Sequence, residues 1–195
     1  MKTETTTKTS VGAKTIHFPT PACVVGTYDA QGKANVMTAA WSGICCSRPP
    51  CVYVSLREAT YTHAAIKARG CFTISIPSET YIEAVDYFGI ASGRDQDKLK
   101  TAGLTATRSE LVDAPYVTEF PVAIECRLEH TVELGLHTQF VGQILDVKGD
   151  PDVFTDGRLD ILKIRPPLYD PARNRYFGVG DYLAKAFTAG KGLAG

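Results

Sequence analysis

The residues able to do chemistry fall into four groups along the chain. In the first, the strand-like run Cys51 to Leu56 (CVYVSL) leads into Arg57, and a helix-like segment opens at Thr60 to Thr62. A strand-to-helix junction leaves backbone N–H groups unpaired at the positive end of a helix dipole. Threonine hydroxyls and a nearby arginine would complete a site for a phosphate. An ordinary N-cap beside an exposed arginine is the commoner outcome at such a junction. The second group, Asn35 to Ser42 (NVMTAAWS), sets small residues beside the one tryptophan. A flat ligand can approach the backbone there, although a lone tryptophan more often fills a core. The third, Ser92 to Lys98 (SGRDQDK), reads as a solvated loop by composition, and Lys98 can also reach a phosphate as a point charge. The fourth is His137, after Gly135 at a strand restart, an ordinary place for a hydrogen-bonded histidine and an open one for a polar role.

Other chemistries lack their signatures. There is no GxxxxGK[ST], no GxSxG and no HExxH, and the GVGDYL at Gly178 lacks the third glycine of a dinucleotide fingerprint. The six cysteines are Cys23, Cys45, Cys46, Cys51, Cys71 and Cys126, with no CxxC pair and with the histidines far from them in sequence. No metal site is expected. Cys45 and Cys46 are adjacent, so a regular strand would turn them to opposite faces. A redox role is open to them, and buried, reduced cysteine is the expectation.

These groups need elements to hold them. Ala22 to Tyr28 is a short apolar strand, and Asp29 to Gly32 reads as a hairpin turn with Gly32 free to take positive φ. Ala34 to Cys46 looks extended, and Pro49 and Pro50 separate it from Cys51 to Leu56. Thr60 to Arg69 has helical character, with Gly70 as its C′ residue. Cys71 to Ile76 returns to strand. Glu79 to Phe88 reads as a helix ended by Gly89, with Thr80 and Glu83 at capping-box spacing. A short helical turn is expected within Ser92 to Gly103. Ala123 to Leu134 and His137 to Val147 are long alternating strands broken at Gly135 and Leu136, and Leu159 to Ile164 reads as a further strand. The expected class is mainly β (α+β), a closed or half-closed antiparallel sheet with a few inserted helices.

Composition bounds the answer. Lys plus Arg count 21 and Asp plus Glu count 21, so no global basic surface exists for nucleic acid. With 195 residues, 44% apolar and 22% charged, the chain suits one globular domain. A domain of this size buries roughly 70% of its unfolded surface. No run of about 18 apolar residues suggests a membrane span. The N-terminus lacks the apolar stretch of a signal peptide, so a cytoplasmic protein is expected. The Thr-rich residues 1–14 read as a flexible arm, 15–180 as the domain, and 181–195 as a weakly helical tail.

The blocks occur in one order, and that order resembles the flavin reductase-like, FMN-binding split-barrel family, in particular its flavoredoxin-like branch. The resemblance runs from about Phe18 to Lys191. It is carried by FPTPACVVGTYDAQGKANVMTAAWSGICCSRPP, SLREATYTHAAIKARGCFTISIPS, GIASGRDQDKL, GLHTQFVGQI and RNRYFGVGDYLAKAFTAGK. It implies a homodimer of Greek-key split β-barrels, each holding one FMN non-covalently near the subunit interface. Carried over by position, Asn35, Trp41 and Ser42 surround the FMN, and Thr38, Ala39 and Ala40 offer backbone contacts to its ring. Leu56 and Arg57 match a ligand-lining strand end. Tyr61 and Thr62 match the helix start, with Thr62 a phosphate ligand. Ser92 and Lys98 match the SGRxxDK segment, with Lys98 paired to the phosphate. His137 matches the histidine on the nicotinamide side of the pocket. Electrons would pass from NAD(P)H through FMN to free flavin, ferric iron or a redox partner. Many members carry Asp where Leu136 precedes His137, and leucine cannot orient an imidazole or a nicotinamide amide. An electron carrier reduced by a protein donor therefore stays open. So does a binding module without turnover, since similar barrels also hold pyridoxal phosphate or haem.

Overall fold

The computed structural model describes residues 7–193. Residues 1–6 of the expected arm and 194–195 of the expected tail lie outside the described residues. The chain begins with strands β1 (Thr20–Pro21), β2 (Cys23–Tyr28), β3 (Ala34–Ala39), β4 (Ser42–Ser47) and β5 (Pro50–Arg57). Helix α1 (Tyr61–Arg69), strand β6 (Cys71–Ile76) and helices α2 (Ile82–Ile90) and α3 (Lys98–Thr101) follow. Then come β7 (Ala106–Arg108), β8 (Pro115–Val117), β9 (Val122–Leu134) and β10 (His137–Gly149). The chain closes with β11 (Phe154–Thr155), β12 (Arg158–Leu159), α4 (Ile161–Ile164), β13 (Leu168–Asp170) and β14 (Arg175–Phe177).

Seven strands form one antiparallel sheet in the order β3-β2-β6-β9-β10-β5-β4. Its two edge strands, β3 and β4, are consecutive in the chain, with only Ala40 and Trp41 between them. The sheet must therefore curl until its edges nearly meet, and it stays split along that seam. The Ser55 amide donates to the Trp41 carbonyl at 2.8 Å and ties the corner to β5. The mainly β class with inserted helices is as expected.

Strand β2 is buried from Cys23 to Thr27 because it is covered on both faces. Val25 points into the barrel with Val52, Val54, Leu56, Phe72, Ile74, Cys126 and Phe140. Val24 points outward to a second core with Val36, Val85, Phe88, Leu99 and Phe120, where α2 packs. The hairpin turn forms as expected. Asp29 Oδ1 accepts from the amides of Gln31 (2.9 Å) and Lys33 (2.8 Å), and Gly32 takes φ +79°. Gly70 ends α1 at φ +64°, its amide donating to the Ile66 carbonyl.

Several expectations need correction. The extended run 34–46 is two strands, because the chain turns the barrel corner at Ala40 and Trp41. The helix expected at Glu79 begins as a 3₁₀ turn (Glu79–Tyr81), and α2 continues through Gly89 to Ile90. No capping box forms there; Tyr81 occupies the cap, and Glu79 instead holds Arg165 Nε at 2.6 Å. The strand expected at Leu159 to Ile164 ends at Leu159. Asp160 caps a helical turn by accepting from the Leu162 amide at 2.9 Å, so those apolar residues follow helical spacing. In the tail, the described residues after Gly180 hold one 3₁₀ turn, Lys191–Leu193, and no α-helix. Cys45 and Cys46 are exposed, not buried, because they lie on the edge strand β4.

Candidate functional site

The start of α1 is built to leave donors open. Thr60 precedes the helix, but its hydroxyl donates backward to the Arg57 carbonyl at 2.8 Å. It makes no side-chain cap; the His63 amide donates to the Thr60 carbonyl at 3.3 Å, and Tyr61 and Thr62 of the first turn line the neighbouring cavity. Asn35 reaches across from β3, and its Nδ2 donates to Thr62 Oγ1 at 2.9 Å. That bond uses a lone pair of Thr62 and leaves its hydroxyl proton for another acceptor. Asn35 Oδ1 is buried with no hydrogen-bond partner among the described residues. Gly93 makes room for it, since a Cβ at 93 would stand 2.1 Å from that oxygen.

Two cations complete this end. Lys98 is buried, and its Nζ donates to the carbonyls of Phe88 (3.2 Å) and Ala91 (3.1 Å), at the negative end of α2. Loss of water pushes its pKa down to about 8. Arg94 donates to the Ala59 carbonyl at 3.0 Å, and its guanidinium lies 5.6 Å from the centre of the Tyr61 ring. Neither cation makes an ion pair among the described residues. Between them lies a cavity of about 220 Å³ whose walls include Met37, Thr62, Ser92 and Lys98. A buried ammonium without a carboxylate, an uncapped helix start and an unpartnered amide oxygen suit a phosphorylated ligand that also carries hydroxyl groups.

The other end lies past the seam. A cavity of about 750 Å³ is walled by Ala40, Trp41, Ser42, Tyr53, His137 and Gln139, with the arm residues Lys14 to His17 along its rim. Ser42 is fixed by its hydroxyl bond to the Tyr53 carbonyl at 2.8 Å. His137 begins β10 opposite Arg57 and Leu134, and its ring has no hydrogen-bond partner among the described residues. Strand β3 connects the two ends. Its outer edge pairs with no other strand among the described residues, so backbone groups there can meet a ligand.

The expected residues therefore divide. Asn35, Tyr61, Thr62, Ser92 and Lys98 gather at the cationic end. Ala40, Trp41, Ser42 and His137 gather at the other. Ala39 turns its side chain into the core, and the Thr38 hydroxyl is engaged by the Val85 carbonyl at 2.5 Å, which leaves their backbones as what they can offer. Leu56 and Arg57 line neither of these two cavities. Leu56 falls on the core face of β5 and is 2% exposed, and Arg57 turns to solvent at the strand end. Arg94 is the cation that sequence reasoning passed over. It sits in the SGRDQDK segment, whose polar composition reads as a solvated loop. Met37 and the arm residues were also missed, and no sequence signal marked them.

The pattern of the family described as Flavin reductase like domain matches residues 15–176. Among solved structures, the flavoredoxin of Desulfovibrio vulgaris (Miyazaki F) superposes with a TM-score of 0.91 and is 53% identical, covering 95% of this chain and all of that one. A flavoredoxin from Methanosarcina acetivorans superposes with a TM-score of 0.90 at 29% identity, covering 96% of this chain and all of its own. A ferric-chelate reductase (NAD(P)H) of Archaeoglobus fulgidus is 30% identical over 121 residues, 60% of this chain and 70% of that protein. Two cavities joined along an open barrel edge are thus set in a split-barrel fold, and the chain belongs to the flavin reductase-like, FMN-binding family, in its flavoredoxin branch.

Proposed function

We propose that this chain is an oxidoreductase that holds FMN non-covalently and passes electrons from NAD(P)H to free flavin, ferric iron or a redox partner. The observation that carries the reading is the buried Lys98 ammonium, which has no carboxylate partner and faces the same cavity as the uncapped start of α1. In this reading Lys98, Arg94, Thr62 and the α1 amides hold the phosphate, and Asn35 Oδ1 accepts from a ribityl hydroxyl. Thr38, Ala39 and Ala40 bind the ring through the backbone, and Trp41 and Ser42 bound it. Bound FMN supplies the redox chemistry. His137 orients a nicotinamide in the open cavity and supplies a hydrogen bond there. A homodimer closes that cavity. A cytoplasmic setting belongs to this reading.

A second reading, a carrier reduced by a protein donor, is favoured by Leu136. It is 66% exposed beside His137 and offers an apolar contact where a polar orienting group would serve a nicotinamide. The flavoredoxins among the similar structures support it as well. Anaerobic stopped-flow mixing with NADH or NADPH separates the two. The first reading expects bleaching of the flavin band, slowed in His137→Ala more than FMN affinity is weakened. Bleaching by reduced ferredoxin alone would move the conclusion to the carrier. A preparation without flavin absorbance, or with a Soret band, would overturn both.

A further inference from the structure

Beyond the flavin site, the tip of the β4–β5 hairpin brings three cysteines together. The pairing runs Ile44↔Val52, then Cys46↔Cys51, then Ser47↔Pro50, with Arg48 and Pro49 as the turn. Two steps on β4 match one on β5, so Cys45 is the extra residue of a bulge. The alternation that would send Cys45 and Cys46 to opposite faces does not hold across it. The bulge sets Cys46 directly opposite Cys51 on one face of the ladder. Opposed residues in an antiparallel pair hold their Cβ atoms about 4.5–5.5 Å apart, with Cα atoms about 4.5 or 5.5 Å apart. A disulfide spans Cα separations of about 4.4–6.8 Å and Cβ separations of about 3.5–4.5 Å, so the paired positions suit the Cα span and close by drawing the two Cβ atoms together by about an ångström.

We infer that Cys46 and Cys51 form a dithiol site that exchanges with low-molecular-weight organic disulfides, closing to a cross-strand disulfide. The order of events follows from access. Cys46 and Cys45 are exposed, whereas Cys51 is 7% exposed. The Cys46 thiolate attacks one sulfur of the incoming disulfide, forms a mixed disulfide and releases one thiol. The Cys51 thiolate then attacks the Cys46 sulfur, forms the internal bond and releases the second thiol. The protein loses two electrons and two protons, and the incoming disulfide gains both. Burial, followed by the neighbouring Cys46 and Cys45, pushes the Cys51 thiol above its usual pKa. Attack by Cys51 is therefore slow at neutral pH and speeds up as pH rises.

The bond has a structural consequence. β4 is the last strand of the seven, and among the described residues β5 is its only partner strand. Cys51, Tyr53 and Ser55 alternate onto one face of β5, and Tyr53 and Ser55 wall the larger cavity together with Ser42 and Gly43 of β4. Closing Cys46 to Cys51 fixes the edge strand that brings Ser42, Gly43 and Ile44 to that wall.

The test is incubation of the full chain with oxidised glutathione, read by intact mass and by thiol count. Closure is expected to remove the mass of two hydrogens and two titratable thiols, reversibly with dithiothreitol. Cys45→Ser should close as the unchanged chain does. Cys51→Ser, with Cys51→Ala as a second variant at this buried position, should stop at a retained glutathione adduct on Cys46. Cys46→Ser should give no internal bond. The inference is overturned by a full thiol count after incubation, by an internal bond in Cys46→Ser, or by complete closure in both Cys51 variants. Flavin content is not part of the readout, so failure here leaves the proposed function standing.

Discussion

Burial strips water from the Lys98 ammonium, and among the described residues only the carbonyls of Phe88 and Ala91 replace it. Its pKa in the folded, ligand-free chain falls from 10.5 to about 8 for that reason. The sign of the linkage follows. The charged side chain costs stability at neutral pH, and the cost is relieved as pH rises from about 8 toward the ordinary lysine value. An arriving phosphate restores the charge. FMN affinity should therefore be flat between about pH 7, where the phosphate is a dianion, and about pH 8, and fall above that by at most about tenfold per pH unit. Lys98→Arg keeps its charge throughout and should lose that fall. Lys98→Ala should weaken binding by about 1–3 kcal/mol, roughly fivefold to a hundredfold. Fluorescence titration of FMN across the pH range reads all three. The same alkaline fall in Lys98→Arg would show that another group titrates.

At the scale of elements, the site depends on how the segment from Ser92 to Asp97 docks against β3. Gly93 backs onto Asn35, which in turn holds Thr62. Gly93→Ala would drive its Cβ against Asn35 Oδ1 and against Tyr61, whose Cδ1 lies 2.9 Å from that position. The substitution should cost flavin affinity about tenfold or more through the displaced Asn35–Thr62 pair, at about 1 kcal/mol per lost hydrogen bond plus strain. It should shift the thermal midpoint far less, since the clash is at the cavity wall and outside the barrel core. Calorimetry and flavin titration on one preparation separate the two effects, and an unchanged affinity would show that Asn35 does not present Thr62. The same docking explains what the sequence could and could not reveal. β2, β6, β9 and β10 were legible because their alternation or apolar runs are local, and the Asp29 turn was legible because one carboxylate makes it. The placement of Asn35 beside Thr62 was visible only through the family pattern. Arg94 escaped because a polar loop looks alike whether it faces water or a cavity. Leu56 and Arg57 line neither cavity, and a strand end does not declare in the sequence which of its residues turn to the core. The Asp160 turn was misread because its short apolar run fits strand and helix alike.

For the whole molecule, an equal count of 21 cationic and 21 acidic residues conceals a local imbalance, with Lys98 and Arg94 in one cavity. A similar local feature bears on assembly. No helix among the described residues is long and apolar enough to cross a membrane. Yet the N-terminal arm and the β9–β10 hairpin expose Ile16 (40%), Phe18 (57%), Leu134 (53%) and Leu136 (66%), with Ile16 and Leu134 on the wall of the larger cavity. Apolar groups gathered at a cavity mouth mark a surface that another surface covers. In the homodimer proposed above, a two-fold axis buries each such residue twice. Burial of one leucine side chain is worth about 1.5–3 kcal/mol, so Leu134→Lys should forfeit roughly 3–6 kcal/mol per dimer, a hundredfold or more in its dissociation constant. Sedimentation of the unchanged chain should give a dimer. The variant should dissociate at concentrations where the unchanged chain does not, and it should bind FMN more weakly because its cavity stays open to water. A monomeric unchanged chain with full flavin content would show that one copy completes the site, and the exposed leucines would then need another partner.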